Sequence, residues 1–244
     1  MDCKGVYSKI VSGTRRYFRE AGFSRAVVGL SGGIDSTLVA FILADALGKD
    51  YVTALLLPDS SVNNSTDHLD ALEVAKSLGI AFEEISIDRI VGAIEDSVKW
   101  EQSSMAGMNA RARARMVLLY DFANSRHALV AGTSNKSELM LGYFTKHGDG
   151  AADFLPLANL FKADVFALAQ FRGLPGKIVE KAPSSGLAVG ITDEAELGAP
   201  YAQIDPVLKE IENGRSSAWL RKRFDALLVG RVLERMKANA HKLR

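Results

Sequence analysis

The densest capacity for chemistry in this chain lies in Gly29-Leu30-Ser31-Gly32-Gly33-Ile34-Asp35-Ser36. Gly32 and Gly33 lack a Cβ and tolerate positive φ, so their backbone can approach an anion closely and aim N–H groups at it. Ser31, Ser36 and Thr37 add hydroxyl groups, and the positive end of a following helix favours negative charge. Asp35 is out of place beside phosphates unless a cation lies between them, and a bound Mg²⁺ resolves the conflict. The loop lacks the lysine of a Walker A motif and is not Gly-x-Gly-x-x-Gly. It reads as a cradle for a metal-bound phosphate ester.

A cradle of this kind must be held by a strand and a helix. Residues 26–30 form an apolar run that reads as a buried strand, and 36–47 read as a helix closed at Gly48. A second strand over 51–57 stops at Pro58, a helix runs to Leu78 before Gly79, and 80–87 read as a third strand. The β-α-β-α-β order demands parallel strands and crossover helices. The fold class is therefore α/β, a doubly wound, mostly parallel sheet with helices on both faces.

Ahead of this unit, apolar residues at helical spacing predict an amphipathic helix over 6–21, with Arg15, Arg16 and Arg19 on a solvated face. Beyond it, helices are expected over 90–100 and from Asn109, followed by a short fourth strand over 127–131. Gly132-Thr133-Ser134-Asn135-Lys136-Ser137-Glu138 is a second polar cluster after a strand. Ligands of open α/β sheets bind where loops diverge at the strands' carboxyl ends, so the first and fourth strands are expected to be neighbours, with the first central. Helices are expected over 160–171, from a cap at Thr192 or Asp193, from Asp205-Pro206 to Ile211, and along 216–240. The irregular stretches 142–153 and 182–190 have the make-up of a binding loop and a lid. No linker or repeat divides residues 1–244, so one domain is expected.

The 244 residues are 48% hydrophobic and include six prolines, which suits a packed core rather than disorder. A net charge of +1 offers no overall field for nucleic acid or an anionic membrane. The single cysteine, Cys3, excludes an intrachain disulfide and a cysteine-cluster metal site. With no long apolar run, a cytoplasmic protein that neither spans nor binds a membrane is expected.

Ser-Gly-Gly-x-Asp-Ser resembles the pyrophosphate loop (PP-loop) of the ATP pyrophosphatase superfamily, whose sheet is Rossmann-like. With Asn109-Ala-Arg-Ala-Arg-Ala-Arg-Met116, the Gly132–Glu138 cluster, Gly142-Tyr-Phe-Thr-Lys-His-Gly-Asp149 and Thr192-Asp-Glu-Ala-Glu-Leu-Gly198, the chain is similar to ammonia-dependent NAD⁺ synthetases over nearly its whole length. That resemblance implies a homodimer that adenylates the nicotinate carboxylate of deamido-NAD⁺ with ATP and then replaces AMP by ammonia. A carboxylate is a poor electrophile, and AMP supplies the leaving group. The charge so gathered calls for Mg²⁺, with Asp35 and Glu138 as natural ligands.

The resemblance further implies ATP contacts from the 29–36 loop, Thr133, Lys162 and Ser184, and contacts to deamido-NAD⁺ from Arg113, Lys146, Asp149, His241 and Lys242. Arg111 and Arg115 point to other helix faces and read as structural. Ammonium must lose a proton before it attacks, and Asp149 or Asp153, flanking a glycine-rich loop, is expected to take it. Ala188 and Ile191 stand where the family pattern has Trp and Gln. These 244 residues leave no room for the amidohydrolase domain of glutamine-dependent relatives, and free ammonia is the expected donor. The rivals are a GMP synthetase-like pyrophosphatase, which lacks the Gly-Tyr-Phe-Thr-Lys-x-Gly-Asp stretch, and a non-catalytic ATP-binding module, which needs no clamp of Asp35, Glu138 and Lys162.

Overall fold

A computed structural model of the protein describes residues 1–61, 65–183 and 192–243. Ser184, Ala188 and Ile191 lie outside the described residues. The elements run α1 (Cys3–Ala21), β1 (Arg25–Gly29), α2 (Ile34–Leu47), β2 (Val52–Leu56), α3 (Ser65–Leu78), β3 (Ala81–Glu84), α4 (Asp88–Ser97) and α5 (Ser104–Arg126). They continue with β4 (Ala128–Ala131), α6 (Lys136–Leu141), α7 (Lys162–Arg172), α8 (Gly176–Val179), α9 (Asp193–Leu197), α10 (Tyr201–Glu212), α11 (Ser217–Arg223) and α12 (Ala226–Asn239).

The four strands pair in parallel in the order β3-β2-β1-β4, so β1 lies between β2 and β4 as the site argument required. Val28 is in register with Ala54 on one side and Ala131 on the other. Alternation along β1 sends Ala26 and Val28 into a core shared with α1, α2 and α7, and Val27 into one shared with α4 and α5. Both Val27 and Val28 are fully buried, which is why the strand is an unbroken apolar run rather than an alternating one. A third apolar cluster, including Phe161, Tyr201, Val207 and Val229, packs the C-terminal helices against α6 and α7. No helix among the described residues is long and apolar enough to cross a membrane.

Several boundaries depart from the sequence pattern for identifiable reasons. The third strand shrinks to Ala81–Glu84, an exposed edge, and continues only as single bonds from Ile85 N to Leu56 O and Ile87 N to Pro58 O. α5 starts ahead of Asn109 because Ser103 Oγ accepts from Ala106 N at 3.2 Å and caps it. α10 starts ahead of Asp205-Pro206, with Pro206 inside the helix, because burying Tyr201 and Ile204 in its first turns outweighs the hydrogen bond that proline forfeits. The terminal helix expected over 216–240 is split, since Asp225 Oδ1 accepts from Leu228 N at 2.7 Å and begins α12 afresh. Arg15 is exposed as expected and also donates to Ala46 O at 2.9 Å and Asp45 O at 3.0 Å, satisfying carbonyls at the end of α2.

Candidate functional site

The loop after β1 departs from the sheet once Leu30 N has donated to Leu55 O at 3.0 Å. Gly32 has φ +79°, and a Cβ there would fall 2.2 Å from the Asp67 carbonyl oxygen. Only glycine satisfies both the dihedral and the contact with α3. Ser36 Oγ accepts from Ser31 N at 3.2 Å and lies 3.0 Å from Ser31 Oγ and 3.1 Å from Gly33 O, which folds the loop onto the start of α2. No described side chain caps α2, so its first N–H groups remain available to an anion.

A cavity of about 270 Å³ opens at the carboxyl ends of β1, β2 and β4. Gly29, Leu30, Ser31, Gly33, Ile34, Asp35 and Ser36 line it, together with Thr133, Glu138, Asp149 and Lys162. At its polar end Lys162 Nζ donates to Asp35 Oδ2 at 2.6 Å and to Glu138 Oε1 at 3.2 Å. The Lys162 side chain is 2% exposed and lies over the Tyr201 ring. Its start on α7 is pinned from behind: Lys162 N donates to Ser137 Oγ at 2.9 Å, and Asp205 accepts from Ser137 Oγ at 2.5 Å and from Ala163 N at 2.9 Å.

The electrostatics of this end favour a further cation. Buried Asp193 also lines the cavity, and its charge adds to the pull of Asp35 and Glu138 on the Lys162 proton. Burial pushes Glu138 well above the usual carboxylate range; Lys162 opposes that shift and the Asp35 charge adds to it. Burial also raises Asp193. Lys162 is held protonated, because the pull of Asp35 and Glu138 exceeds the burial that opposes it. Among the described residues no three of His, Cys, Asp and Glu form a cage able to hold a metal alone. Asp35 and Glu138, two carboxylates at a phosphate loop, fit an ion such as Mg²⁺, which binds through one or two carboxylates plus the phosphates of its substrate.

The remaining sequence-predicted residues separate into two places. Asp149 opens onto the cavity; Asp149 Oδ1 accepts from Thr145 N at 2.8 Å, and the protein around it raises its pKa although that bond pulls the other way. Asp153 does not line the cavity: Oδ2 accepts from Val130 N at 2.7 Å and Oδ1 lies 3.4 Å from the Tyr120 hydroxyl, so the carboxylate ties β4 to the following loop. Arg113, Lys146, His241 and Lys242 do not line the cavity; they are linked to one another through the 142–153 loop. Arg113 Nε donates to Lys146 O at 3.2 Å, Lys146 Nζ to His241 O at 2.9 Å, and Lys242 Nζ to Gly142 O and Phe144 O at 2.8 Å each. The carboxyl-terminal turn is thus fastened to the 142–153 loop. Arg111 bonds Asp59 at 2.6 Å and Arg115 donates to Leu57 O at 3.0 Å, both anchoring α5 to the end of β2.

The NAD synthase family model matches residues 6–244. The chain belongs to the NAD synthase family. It is 43% identical over 242 residues to the NH₃-dependent NAD⁺ synthetase of Archaeoglobus fulgidus, covering 99% of this chain and 95% of that one. Among solved structures it is similar to the NMN synthetase of Francisella tularensis, with TM-score 0.90, 36% identity and coverage of 100% and 97%. It is also similar to the NH₃-dependent NAD synthetase of Campylobacter jejuni, with TM-score 0.85, 33% identity and the same coverages.

Within this NAD synthase fold the structure adds site residues that sequence reasoning left without a role. Asn135, fully buried, donates from Nδ2 to Asp35 Oδ1 at 2.9 Å and caps α6. Its signal was present, since Asn followed three residues later by Glu138 is a capping-box spacing. Lys181 donates to Asp67 at 2.7 Å, Asp70 at 2.6 Å and Gly32 O at 3.3 Å, fastening the phosphate loop to α3. Tyr143 OH lies 2.7 Å from Glu196 and 3.2 Å from Asp193, joining the 142–153 loop to α9. No local pattern announces Lys181 or Tyr143, because their partners come from distant elements.

Proposed function

We propose that this enzyme amidates deamido-NAD⁺ to NAD⁺ with ATP and ammonia, releasing AMP and pyrophosphate through an adenylated carboxylate. The observation that carries the reading is the Asp35–Lys162–Glu138 cluster beneath a glycine-rich phosphate loop, in one cavity with Asp149. ATP phosphates accept from the N–H groups opening α2 and from Ser31, with Thr133 on the facing loop. Asp35 and Glu138 would hold Mg²⁺, which would supply positive charge to offset that of the phosphates. Lys162 brings a fixed positive charge to the same point. The nicotinate carboxylate oxygen bonds to the α-phosphorus as the bond to pyrophosphate breaks. Ammonia nitrogen then bonds to the acyl carbon as the bond to AMP breaks, and the nitrogen sheds one further proton to solvent to give the neutral amide.

Asp149, which opens onto the cavity and whose pKa burial raises, takes the proton that ammonium must lose. Asp153 serves β4. Arg113, Lys146 and Lys242 bring positive charge to the dinucleotide's pyrophosphate, with His241 beside them on the carboxyl-terminal turn. Ser184 is assigned an ATP contact by resemblance alone. Exposed Met105 and Val117 on α5, the helix that carries Arg113, support a homodimer through that helix. ATP as substrate supports a cytoplasmic location.

The similarity to an NMN synthetase favours a second reading in which nicotinate mononucleotide, carrying the same carboxylate, is the acceptor. Purified protein is incubated with ATP, Mg²⁺ and either acceptor, with and without ammonium, and products are separated by chromatography. NAD⁺ formed faster than NMN, together with AMP and pyrophosphate, is the expected result. Faster NMN formation supports the second reading, and no ammonium-dependent amide from either acceptor overturns both.

A further inference from the structure

We infer that Asn135 is a positioning residue that decides which oxygen of Asp35 and of Glu138 is presented to a cation. Its amide faces two partners of opposite character. Nδ2 must meet an acceptor and donates to Asp35 Oδ1 at 2.9 Å, whereas Oδ1 must meet a donor and accepts from Glu138 N at 3.1 Å. Its own backbone N donates to Glu138 Oε2 at 3.2 Å. One oxygen of each carboxylate is thereby occupied by Asn135. The other two, Asp35 Oδ2 and Glu138 Oε1, converge on Lys162 Nζ. Asn135 is fully buried, so water does not substitute for these bonds, and the amide cannot flip without setting Oδ1 against the Asp35 carboxylate and Nδ2 against the Glu138 N–H.

The loops after β1 and β4 are separate in sequence, and this side chain makes them one binding unit. Capping alone does not require an amide, since Ser accepts from a helix N–H about as well as Asn, and Thr only somewhat less well. Bridging to Asp35 does require it. The role is that of an outer partner which orients metal ligands, whose loss typically costs about 10–100-fold in metal affinity.

The inference rests on the reading of Asp35 and Glu138 as the Mg²⁺ pair, and its test separates the two. ATP binding is measured by calorimetry in excess Mg²⁺ and in EDTA for the wild type, Asn135→Ser, Asn135→Thr, Asp35→Asn and Glu138→Gln, alongside each thermal midpoint. Asn135→Ser and Asn135→Thr keep the cap and lose the bridge. They are expected to fold, to bind metal-free ATP within about twofold of wild type, and to lose about 10–100-fold of the gain that Mg²⁺ confers. If Asp35→Asn and Glu138→Gln abolish that gain while both Asn135 variants retain it, the inference on Asn135 fails alone. If neither carboxylate variant changes the gain, the metal-pair reading fails with it. If neither Asn135 variant folds, its role is in the fold and the inference is overturned.

Discussion

Replacing Lys162 by methionine keeps the side-chain length and removes one charge from the centre of the site. Lys162 is 2% exposed, against 18% for Asp35 and 15% for Glu138, so the variant leaves two poorly solvated carboxylates facing each other. Removing one partner of a buried ion pair costs about 3–5 kcal/mol. Each carboxylate here keeps a hydrogen bond to Asn135 and some water, which lowers the expectation to about 2–3 kcal/mol at pH 8. At about 2–4 °C per kcal/mol for a chain of this size, the midpoint falls by about 4–12 °C.

The deficit depends on pH in a definite direction. Lys162 stays charged in the native wild type across the neutral range, because its pKa is raised by the two acids. In the variant, a proton shared by the carboxylates replaces the missing charge at low pH, and burial already raises Glu138. A carboxylate whose folded pKa is raised lowers stability as pH climbs above its unfolded value. The deficit should therefore be small at pH 5.5 and grow towards pH 8. Adding Mg²⁺ without nucleotide should raise the variant's midpoint more than the wild type's, since the variant offers it an uncompensated site. Differential scanning fluorimetry across pH and Mg²⁺ reads all three quantities. A deficit equal at pH 5.5 and 8, or absent at both, refutes the placement of Lys162 beside these two carboxyl groups.

Three further outcomes follow from particular contacts. Gly32→Ala forces an alanine into positive φ with its Cβ against the Asp67 carbonyl; a loss of about 1–3 kcal/mol by urea denaturation and of measurable ATP binding is expected. Asp149→Asn should lower ammonia-dependent amide formation about 10²-fold while leaving pyrophosphate release intact, whereas Asp153→Ala should lower stability by about 1–3 kcal/mol and leave ammonium dependence unchanged. Because Glu138 is raised by burial, Mg²⁺·ATP binding at pH 7 should release protons; calorimetry should read more exotherm in Tris than in PIPES, with the difference reduced in Glu138→Gln.

Local physics made much of this protein legible from the chain alone. The Ser-Gly-Gly turn between an apolar strand and a helix identified the phosphate loop, because glycine's backbone freedom and a helix's free N–H groups are properties of neighbouring residues. The position of Gly132–Glu138 after a strand, and the binding of ligands where loops diverge at strand carboxyl ends, were enough to place β4 beside β1. The resemblance then attached Asp35, Glu138 and Lys162 to a common chemistry.

Contacts between distant segments were decided by the tertiary structure. Lys162 and Asp35 are 127 positions apart, and their pairing depends on α7 being docked by Asp205, a residue of a helix whose start the proline had obscured. Likewise the tail ending in His241 and Lys242 reads as a free end until Lys242 finds two carbonyls of the 142–153 loop. Sequence patterns report what a residue does to its own backbone and to neighbours a turn away. Which acid receives which cation is settled by the burial of apolar helix faces that carry the charges along with them.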